Sequence, residues 1–333
     1  MSGEINPKVS IITVYYNRDY CVEESIKSIL NQSYHDFELI LVNDGSTDGT
    51  LEEFRKINDP RVRIIDHQNI GFTKSMIEAI KESKGDYIAL HGSGDISLAN
   101  RIAMQCEVLD ANKNVGLVGC LRTVENRTEY EKINEYKGGN WVEGEYFYGD
   151  ASKVILQKNL FAHGSVMFRR AVYSKVGGYR DFFHYAQDRD LWVRMSRECE
   201  FCVLDEILYV RAFLTDSVSI DPDKRLIQRY LSELIIQCGS AVLEGKKDLV
   251  DQYGVYSLFF LKKTKRLSID LSKQAIKWFH QGEFSAAYRY SEEAINCSKN
   301  LFSLSIWTNI HLLPRKFGKR VSNVIYHFLR FKK

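Results

Sequence analysis

Short apolar runs alternate with amphipathic stretches over the first hundred residues of the chain. In the amphipathic stretches the apolar residues recur at helical spacing, as with Ile26, Ile29 and Leu30 in 22–31. The pattern predicts strands at 9–14, 37–42, 61–65 and 86–90, with helices at 22–31, at 50–57 and from Gly71 onward. Strands that alternate with helices of this length predict an α/β fold with a doubly wound, mostly parallel sheet.

The pattern changes near residue 219. Beyond that point the apolar spacing is helical throughout, with helices expected at 226–243 and 249–262 and a helical hairpin at 271–294 that turns at Gly282. We therefore predict two domains, an α/β domain over 1–219 and an all-α region over 220–333 that ends in a basic amphipathic tail.

Polar and acidic residues follow two of the predicted strands directly. The strand at 37–42 runs into Asn43 and Asp44, and the strand at 9–14 runs into Tyr16 and Asn17. Ligands of open α/β sheets bind at the carboxyl edge, where these residues would lie. A ring that can stack on a base and a carboxylate that can bind a ribose suit a nucleotide, although the same residues also favour an Asx-rich turn with no ligand.

Composition narrows the class of protein. A net charge of +3 over 333 residues does not favour nucleic acid as a partner. Seven scattered cysteines are typical of a reducing cytosol, and Cys199 and Cys202 are interpreted as packing residues rather than zinc ligands. We expect neither a signal peptide nor a spanning helix, since 1–8 is polar and the apolar runs are short.

Two further segments allow alternative interpretations. Residues 126–150 are aromatic, polar and rich in glycine, which suits either an acceptor flap or a hairpin packed on the core. The tail from Pro314 carries seven basic residues and no acid, with one apolar helical stripe. It suits a helix at an anionic membrane surface or an amphipathic helix docked on the protein.

Seven segments, in this order, resemble the family-two glycosyltransferases, which have the A-type glycosyltransferase fold. The resemblance runs from about residue 9 to residue 219. The segments are 9–12 (VSII) with Tyr16 and Asn17, 42–50 (VNDGSTDGT), 68–71 (QNIG), 85–90 (GDYIAL), 163–170 (HGSVMFRR), 176–179 (VGGY) and 187–194 (QDRDLWVR).

The resemblance implies an inverting glycosyltransferase that moves a sugar from a nucleotide diphosphate sugar to a hydroxyl acceptor. The acceptor would be lipid-linked or a growing saccharide, at the inner face of the cytoplasmic membrane, in cell-surface polysaccharide or glycolipid assembly. It implies donor-site roles for six residues: Tyr16, Asn17 and Asp44 at the base and ribose, Lys74 at the diphosphate, Ser93 in the loop after the fourth strand, and His163 near the sugar or acceptor. Lys74 equally suits a solvated helix position.

The metal motif departs from the family pattern. Where the family usually has Asp-x-Asp-Asp, this chain has Gly92, Ser93, Gly94 and Asp95. The resemblance therefore implies that Asp95 is the metal ligand, for Mg²⁺ or Mn²⁺ held otherwise by diphosphate oxygens and water. His91 is an outside candidate for a second ligand.

The acidic pair at the start of the predicted helix at 187–194 supplies the base. The resemblance places Asp188 as the group that accepts the acceptor's proton. Asp190 is the competing choice, but Asp190 and Arg194 are better suited to fixing the helix against the sheet. Arg194 and Arg211 are weaker diphosphate candidates.

Two alternatives remain open. Loss of two acids at Gly92 and Gly94 favours an inactive nucleotide-sugar binding or scaffold protein, whereas Asp188 favours the enzyme. A nucleotidyltransferase would have a glycine- and arginine-rich phosphate loop after its first strand, which the sequence at 15–18 does not resemble.

Overall fold

The computed structural model describes residues 6–126, 141–213 and 221–312. The chain separates into two compact units, residues 1–215 and 216–333. The basic tail from Pro314 lies outside the described residues, and so does most of the glycine-rich part of 126–150.

The first unit is built on one mixed, mostly parallel sheet in the order β3-β2-β1-β4-β9-β6-β10-β5, with β7 paired to β6 and β8 to β10. The strands are β1 (Val9–Tyr15), β2 (Phe37–Asp44), β3 (Val62–His67), β4 (Tyr87–Leu90), β5 (Ile96–Ser97), β6 (Val115–Asn126), β7 (Trp141–Glu143), β8 (Phe147–Gly149), β9 (Met167–Arg169) and β10 (Glu200–Phe213).

Parallel pairing joins β1 to β2 and β4, β2 to β3, and β6 to β10. All seven residues of β1 and all four of β4 are buried, as expected for central strands covered on both faces. The short strand β9 runs antiparallel to both β4 and β6. The expected α/β sheet is therefore confirmed, with β9 as an antiparallel insertion between its two parallel groups.

Helices cover the sheet on both faces. Those of the first unit are α1 (Val22–Leu30), α2 (Thr50–Arg55), α3 (Phe72–Glu82), α4 (Arg101–Ala111), α5 (Val154–Gln157), α6 (Arg170–Lys175) and α7 (Gln187–Met195). The helix α1 buries Ile26 and Ile29 of the predicted face together with Val22, and Leu30 is half-buried against the same core. Gly71, with a φ of 88°, turns the chain into α3.

The second unit is helical over its described residues, which confirms the expected all-α extension. Its helices are α8 (Pro222–Leu243), α9 (Leu249–Tyr253), α10 (Lys265–Gln281), α11 (Phe284–Cys297) and α12 (Leu301–Leu312). Asp221 caps α8 by accepting hydrogen bonds from the N–H groups of Asp223 and Lys224. Gly282 ends α10 in the left-handed conformation, as predicted for the turn of the hairpin.

The expected single helix at 249–262 is wrong. The helix α9 ends at Tyr253, because Gly254 has a φ of 53° and a ψ of −130°, which interrupts the helix. A 3₁₀ segment, Gly254–Phe260, follows it. No described helix has both the length and the apolar character that a membrane crossing requires.

The segment at 126–150 contributes two edge strands within its described part. The strand β7 pairs antiparallel with β6, and β8 pairs antiparallel with β10. These pairings attach both described ends of the segment to the sheet. The acceptor flap itself stays a prediction.

Candidate functional site

The loops that follow β1 and β2 are joined by hydrogen bonds at the carboxyl edge of the sheet. Asn17, at a positive φ of 52°, donates its N–H to Ser46 Oγ (3.0 Å) and accepts from the N–H of Thr47 (2.7 Å). Asparagine tolerates this left-handed backbone better than most residues. Asn17 therefore shapes the loop around the neighbouring Tyr16, whose side chain is 48% exposed and open to a ligand.

Asp44 ends β2 and is buried at this same edge. Its Oδ1 accepts a hydrogen bond from the N–H of Ile70 (2.8 Å) and lies 3.6 Å from Nδ1 of His67. One carboxylate oxygen is thus used to hold the loop after β3. Asp44 therefore lies at the predicted nucleotide edge, and its contact with a ligand stays a prediction.

Arg18 connects the loop after β1 to the loop after β4. Its guanidinium donates to both the carbonyl oxygen (3.1 Å) and the hydroxyl (2.7 Å) of Ser93. Ser93 therefore lies at the same sheet edge as Tyr16 and Asn17. The sequence indicated Ser93, but not the arginine that fixes it.

Asp95 is buried, and both of its carboxylate oxygens accept hydrogen bonds from the protein. The Tyr209 hydroxyl donates to Oδ2 (2.6 Å), and the N–H of Ala212 donates to Oδ1 (2.8 Å). Burial raises the pKa of Asp95, and the hydrogen bond from Tyr209 opposes that rise. Arg211 and Arg18 also stabilise the carboxylate electrostatically.

The hydroxyl of Tyr209 lies beside two glycines, Gly92 and Gly164, which have no side chain to fill that space. Its hydroxyl accepts from the N–H of Gly92 (2.9 Å), and a Cβ placed on Gly164 would lie 2.2 Å from that hydroxyl. A Cβ on Gly92 would lie 2.2 Å from Asp95 Oδ2. An acid at position 92 therefore does not fit the present arrangement, in which Tyr209 orients Asp95 instead.

His91 faces the interior rather than a ligand. Its Nε2 lies 3.0 Å from both Ser25 Oγ and the carbonyl oxygen of Asp95, and its Nδ1 lies 3.1 Å from Ser97 Oγ. Burial lowers the pKa of His91 to about 3, so the ring is neutral. Both ring nitrogens hold the loop after β4, which leaves neither for a metal.

His163 forms the other wall of the site. Its Nε2 lies 2.7 Å from the Tyr179 hydroxyl, and its ring meets the ring of Phe72 edge to face at 5.4 Å. Burial lowers the pKa of His163, and the nearby charge of Asp188 opposes that effect. Gly164 packs against the Gly92 loop. His163 therefore lies beside the carboxyl edge of the sheet that carries Tyr16 and Asp44, which we call the donor edge.

Asp188 lies in the first turn of α7 and is half-buried. Its Oδ2 accepts a hydrogen bond from the side-chain amide of Asn159 (3.0 Å). A carboxylate is favoured electrostatically at a helix N-terminus. The charge of Asp188 acts on His163, and Gly164 packs against the Gly92 loop, so the first unit brings these residues together.

Asp190 has a different environment from Asp188. It is buried and forms ion pairs with Arg194 (2.7 Å) and Arg180 (3.3 Å), while Arg194 also donates to the carbonyl oxygen of Val176 (2.6 Å). These contacts fix α7 to the loop that precedes it, rather than directly to the sheet. Arg194 is therefore committed to Asp190, and Arg211 lies 3.8 Å from Glu143.

Lys74 projects from the first turn of α3, two residues after Phe72, and is exposed. Within the described ranges, no hydrogen bond or ion pair engages its ammonium group. An unpaired cation at this edge suits a diphosphate, and its role stays a prediction.

The sequence did not predict two residues that contact the candidate site from distant positions in the chain. Tyr209 contacts Asp95 across 114 positions, and Asn159 contacts Asp188 across 29. Neither lies in a recognisable motif. Arg18 was also not predicted, although its position directly after Tyr16 and Asn17 could have indicated it.

The carboxylate of Asp95 is the candidate ligand for a divalent cation. Among the described residues, no three His, Cys, Asp or Glu side chains come together as a metal site. Each carboxylate oxygen offers two acceptor positions, so Asp95 keeps one on each oxygen after its bonds to Tyr209 and Ala212. A single carboxylate fits Mg²⁺ or Mn²⁺ when phosphate oxygens and water complete the coordination.

The model of the family Glycosyl transferase family 2 matches residues 10–177. EpsE of Bacillus subtilis, described as a putative glycosyltransferase, is 31% identical over 58% of this chain and 68% of its own length. The O-antigen biosynthesis glycosyltransferase WbnJ of Escherichia coli is 31% identical over 60% of this chain and 76% of its own. Against the hyaluronan synthase of Pasteurella multocida, the identity is 30%, and the match covers 92% of this chain but 32% of that protein.

Solved structures share the fold at low sequence identity. TarS 1–349 of S. aureus in complex with UDP-GlcNAc has a TM-score of 0.59 at 16% identity, over 91% of this chain and 90% of that chain. The mannosyltransferase PcManGT of Pyrobaculum calidifontis, in complex with GDP-Man and Mn²⁺, has a TM-score of 0.55 at 16% identity. The match covers 96% of this chain and 85% of that chain.

Proposed function

The chain belongs to glycosyl transferase family 2, and from that premise we propose that it is an inverting enzyme of cell-surface polysaccharide or glycolipid assembly. The observation that carries the proposal is the convergence of the donor-edge residues and Asp188 around the loop of Gly92. An O-antigen enzyme and a hyaluronan synthase among the relatives support polysaccharide synthesis. Structural neighbours with UDP-GlcNAc or GDP-Man support a nucleotide diphosphate sugar as the donor.

The donor edge would hold the nucleotide. Tyr16 offers an exposed ring to the base, and Asp44 offers its second carboxylate oxygen to the base edge or the ribose. Lys74 would neutralise charge on the diphosphate as it leaves. Ser93 is held in place by Arg18, and Asn17 fixes the loop beside Tyr16.

Asp188 would act as the general base. It takes the proton of the acceptor hydroxyl while the acceptor oxygen forms a bond to the anomeric carbon. The bond from that carbon to the diphosphate oxygen breaks, and its electron pair leaves with the nucleoside diphosphate. One displacement from the opposite side inverts the configuration at the anomeric carbon. His163 would orient the sugar or the acceptor beside Asp188.

A divalent cation would be held by Asp95, and when bound it would supply positive charge to the diphosphate. Tyr209 and Ala212 fix the orientation of this carboxylate from within the protein. A Mn²⁺-containing neighbour in the same fold supports the proposal.

Removing the carboxylate should abolish metal-stimulated donor binding. In Asp95→Ala, we expect donor affinity measured by calorimetry to be the same with Mn²⁺ and with a chelator. Tyr209→Phe is the matched control, because it removes one hydrogen bond to Asp95 but keeps the carboxylate, and it should retain the stimulation. Equal donor affinity of the wild type with and without metal would instead indicate an ion-independent site.

We also propose that the enzyme works on the cytoplasmic side, as a peripheral protein of the inner membrane face. The basic composition of 314–333 and a lipid-linked or saccharide acceptor motivate this placement.

A screen of nucleotide sugars tests the proposed activity. Slow hydrolysis of one donor, with water in place of the acceptor, is expected with Mn²⁺ or Mg²⁺. The loss of acids at Gly92 and Gly94 favours one alternative, a nucleotide-sugar binding protein without activity. Binding of a donor without any turnover, even with saccharide acceptors added, would support that alternative and contradict the enzyme.

A further inference from the structure

The second unit carries exposed aromatic and aliphatic side chains around its 3₁₀ segment. Phe259 is 85% exposed and Tyr256 is 66% exposed, which is unusual for large apolar side chains in so short a stretch. We refer to the whole group as the aromatic patch, which consists of Tyr253, Val255, Tyr256, Leu258, Phe259 and Phe260.

The aromatic patch is held in a defined shape. The rings of Tyr253 and Phe260 stack with their centroids 4.5 Å apart, and those of Tyr256 and Phe259 lie nearly parallel at 6.4 Å. Ser257 of the same 3₁₀ segment and Val250 of α9 are buried. The exposed rings therefore belong to an ordered surface and need little rearrangement to bind a partner.

Basic residues border the aromatic patch, three of them in the segment that directly follows it in sequence. Lys262, Lys263 and Lys265 are exposed, and the backbone of Lys262 is fixed to Gln237 of α8 by two hydrogen bonds, of 2.7 and 3.0 Å. Lys246 lies close by, since both Lys246 and Lys262 act on the charge of Glu244. The border thus combines four lysines with the acid Glu244 and with Asp251 of α9.

We propose that the aromatic patch and its lysines form a membrane-binding site for an anionic lipid surface. Aromatic rings favour the region between the acyl chains and the headgroups, and lysines favour negatively charged headgroups. The charge pattern favours an anionic surface over a second copy of this chain, because the border carries four lysines and two acids. This site deepens the membrane placement proposed above, and it lies in the described helical unit rather than in the basic tail.

Flotation of the full-length protein with vesicles tests the site. Phosphatidylcholine vesicles that contain phosphatidylglycerol should bind the wild type, and vesicles of phosphatidylcholine alone should bind it less. Tyr256→Ser combined with Phe259→Ser should lower binding about tenfold, because each exposed ring removed loses its burial in the bilayer. Lys262→Ala with Lys263→Ala should lower binding to the anionic vesicles and weaken its dependence on salt.

Leu301→Ser is the matched control, since Leu301 is 88% exposed but belongs to α12. It should float like the wild type. Phe259→Ser alone repeats the test if the double variant folds poorly, which circular dichroism would detect. Donor hydrolysis in solution should be unchanged in every variant, so a failure of the proposed activity is distinguishable from a failure of this site.

Three results would overturn the proposal. The first is that anionic vesicles at low salt do not retain the wild type, and the second is that the double variant floats as well as the wild type. A wild type that is dimeric by light scattering, and becomes monomeric in the double variant, would assign the patch to a second copy.

Discussion

Replacing Asp188 with asparagine is expected to slow sugar transfer by roughly 10²-fold or more, which is the scale of a lost general base. The amide has the shape of the carboxylate and can still accept the hydrogen bond from Asn159, so the first turn of α7 should keep its structure. The rate at saturating donor and acceptor measures the effect. Donor affinity should be unchanged, because the donor residues lie on the neighbouring loops.

Asp181→Asn is the control for this experiment. Asp181 is an exposed acid seven positions before Asp188 in the sequence and should be replaceable without loss of activity. Near-normal turnover of Asp188→Asn would remove Asp188 from the mechanism.

Asp190→Ala, in the same helix, is expected to lower the free energy of unfolding of the first unit by about 3–5 kcal/mol. The substitution leaves Arg194 buried without the carboxylate at 2.7 Å and also removes one ion-pair partner of Arg180. Urea denaturation followed by circular dichroism measures the loss. Asp188→Asn, two residues earlier, serves as the comparison and should unfold like the wild type.

The two variants are expected to separate the proposed catalytic role of Asp188 from the structural role of Asp190. If Asp190→Ala were as stable as the wild type and yet inactive, the base would have to be reassigned to Asp190.

The sequence predicted the elements whose signal is local. Apolar runs of strand length located β1, β2 and β4, and a 3.6-residue spacing located α1 and the hairpin at Gly282. The position of β9 in the sheet has no comparable signal in the local sequence. Three residues that run antiparallel between β4 and β6 depend on pairings with distant strands.

The same limit applies to the candidate site. Motifs at strand ends and helix starts indicated Asn17, Asp44 and Asp188, because those positions are set by the elements that carry them. The orientation of Asp95 depends on Tyr209 of β10, which reaches it only through the folded sheet. Spacing along the chain carries no information about such a contact.

The end of α9 shows how one residue overrides a periodic pattern. The apolar spacing at 249–262 suits a helix, yet Gly254 adopts a positive φ and the next residues form a 3₁₀ segment. That change leaves the aromatic side chains exposed at the surface. Apolar residues that predicted a helix therefore belong to the proposed membrane site.

The stereochemistry of donor hydrolysis tests the central claim most directly. Proton NMR of the first sugar released, recorded before its anomers equilibrate, reports the configuration at the anomeric carbon without knowledge of the acceptor. An inverting enzyme that uses Asp188 as its base predicts a sugar of the configuration opposite to that in the donor, and its release should be strongly slowed in Asp188→Asn. Release of the sugar with the donor's own configuration would contradict the account.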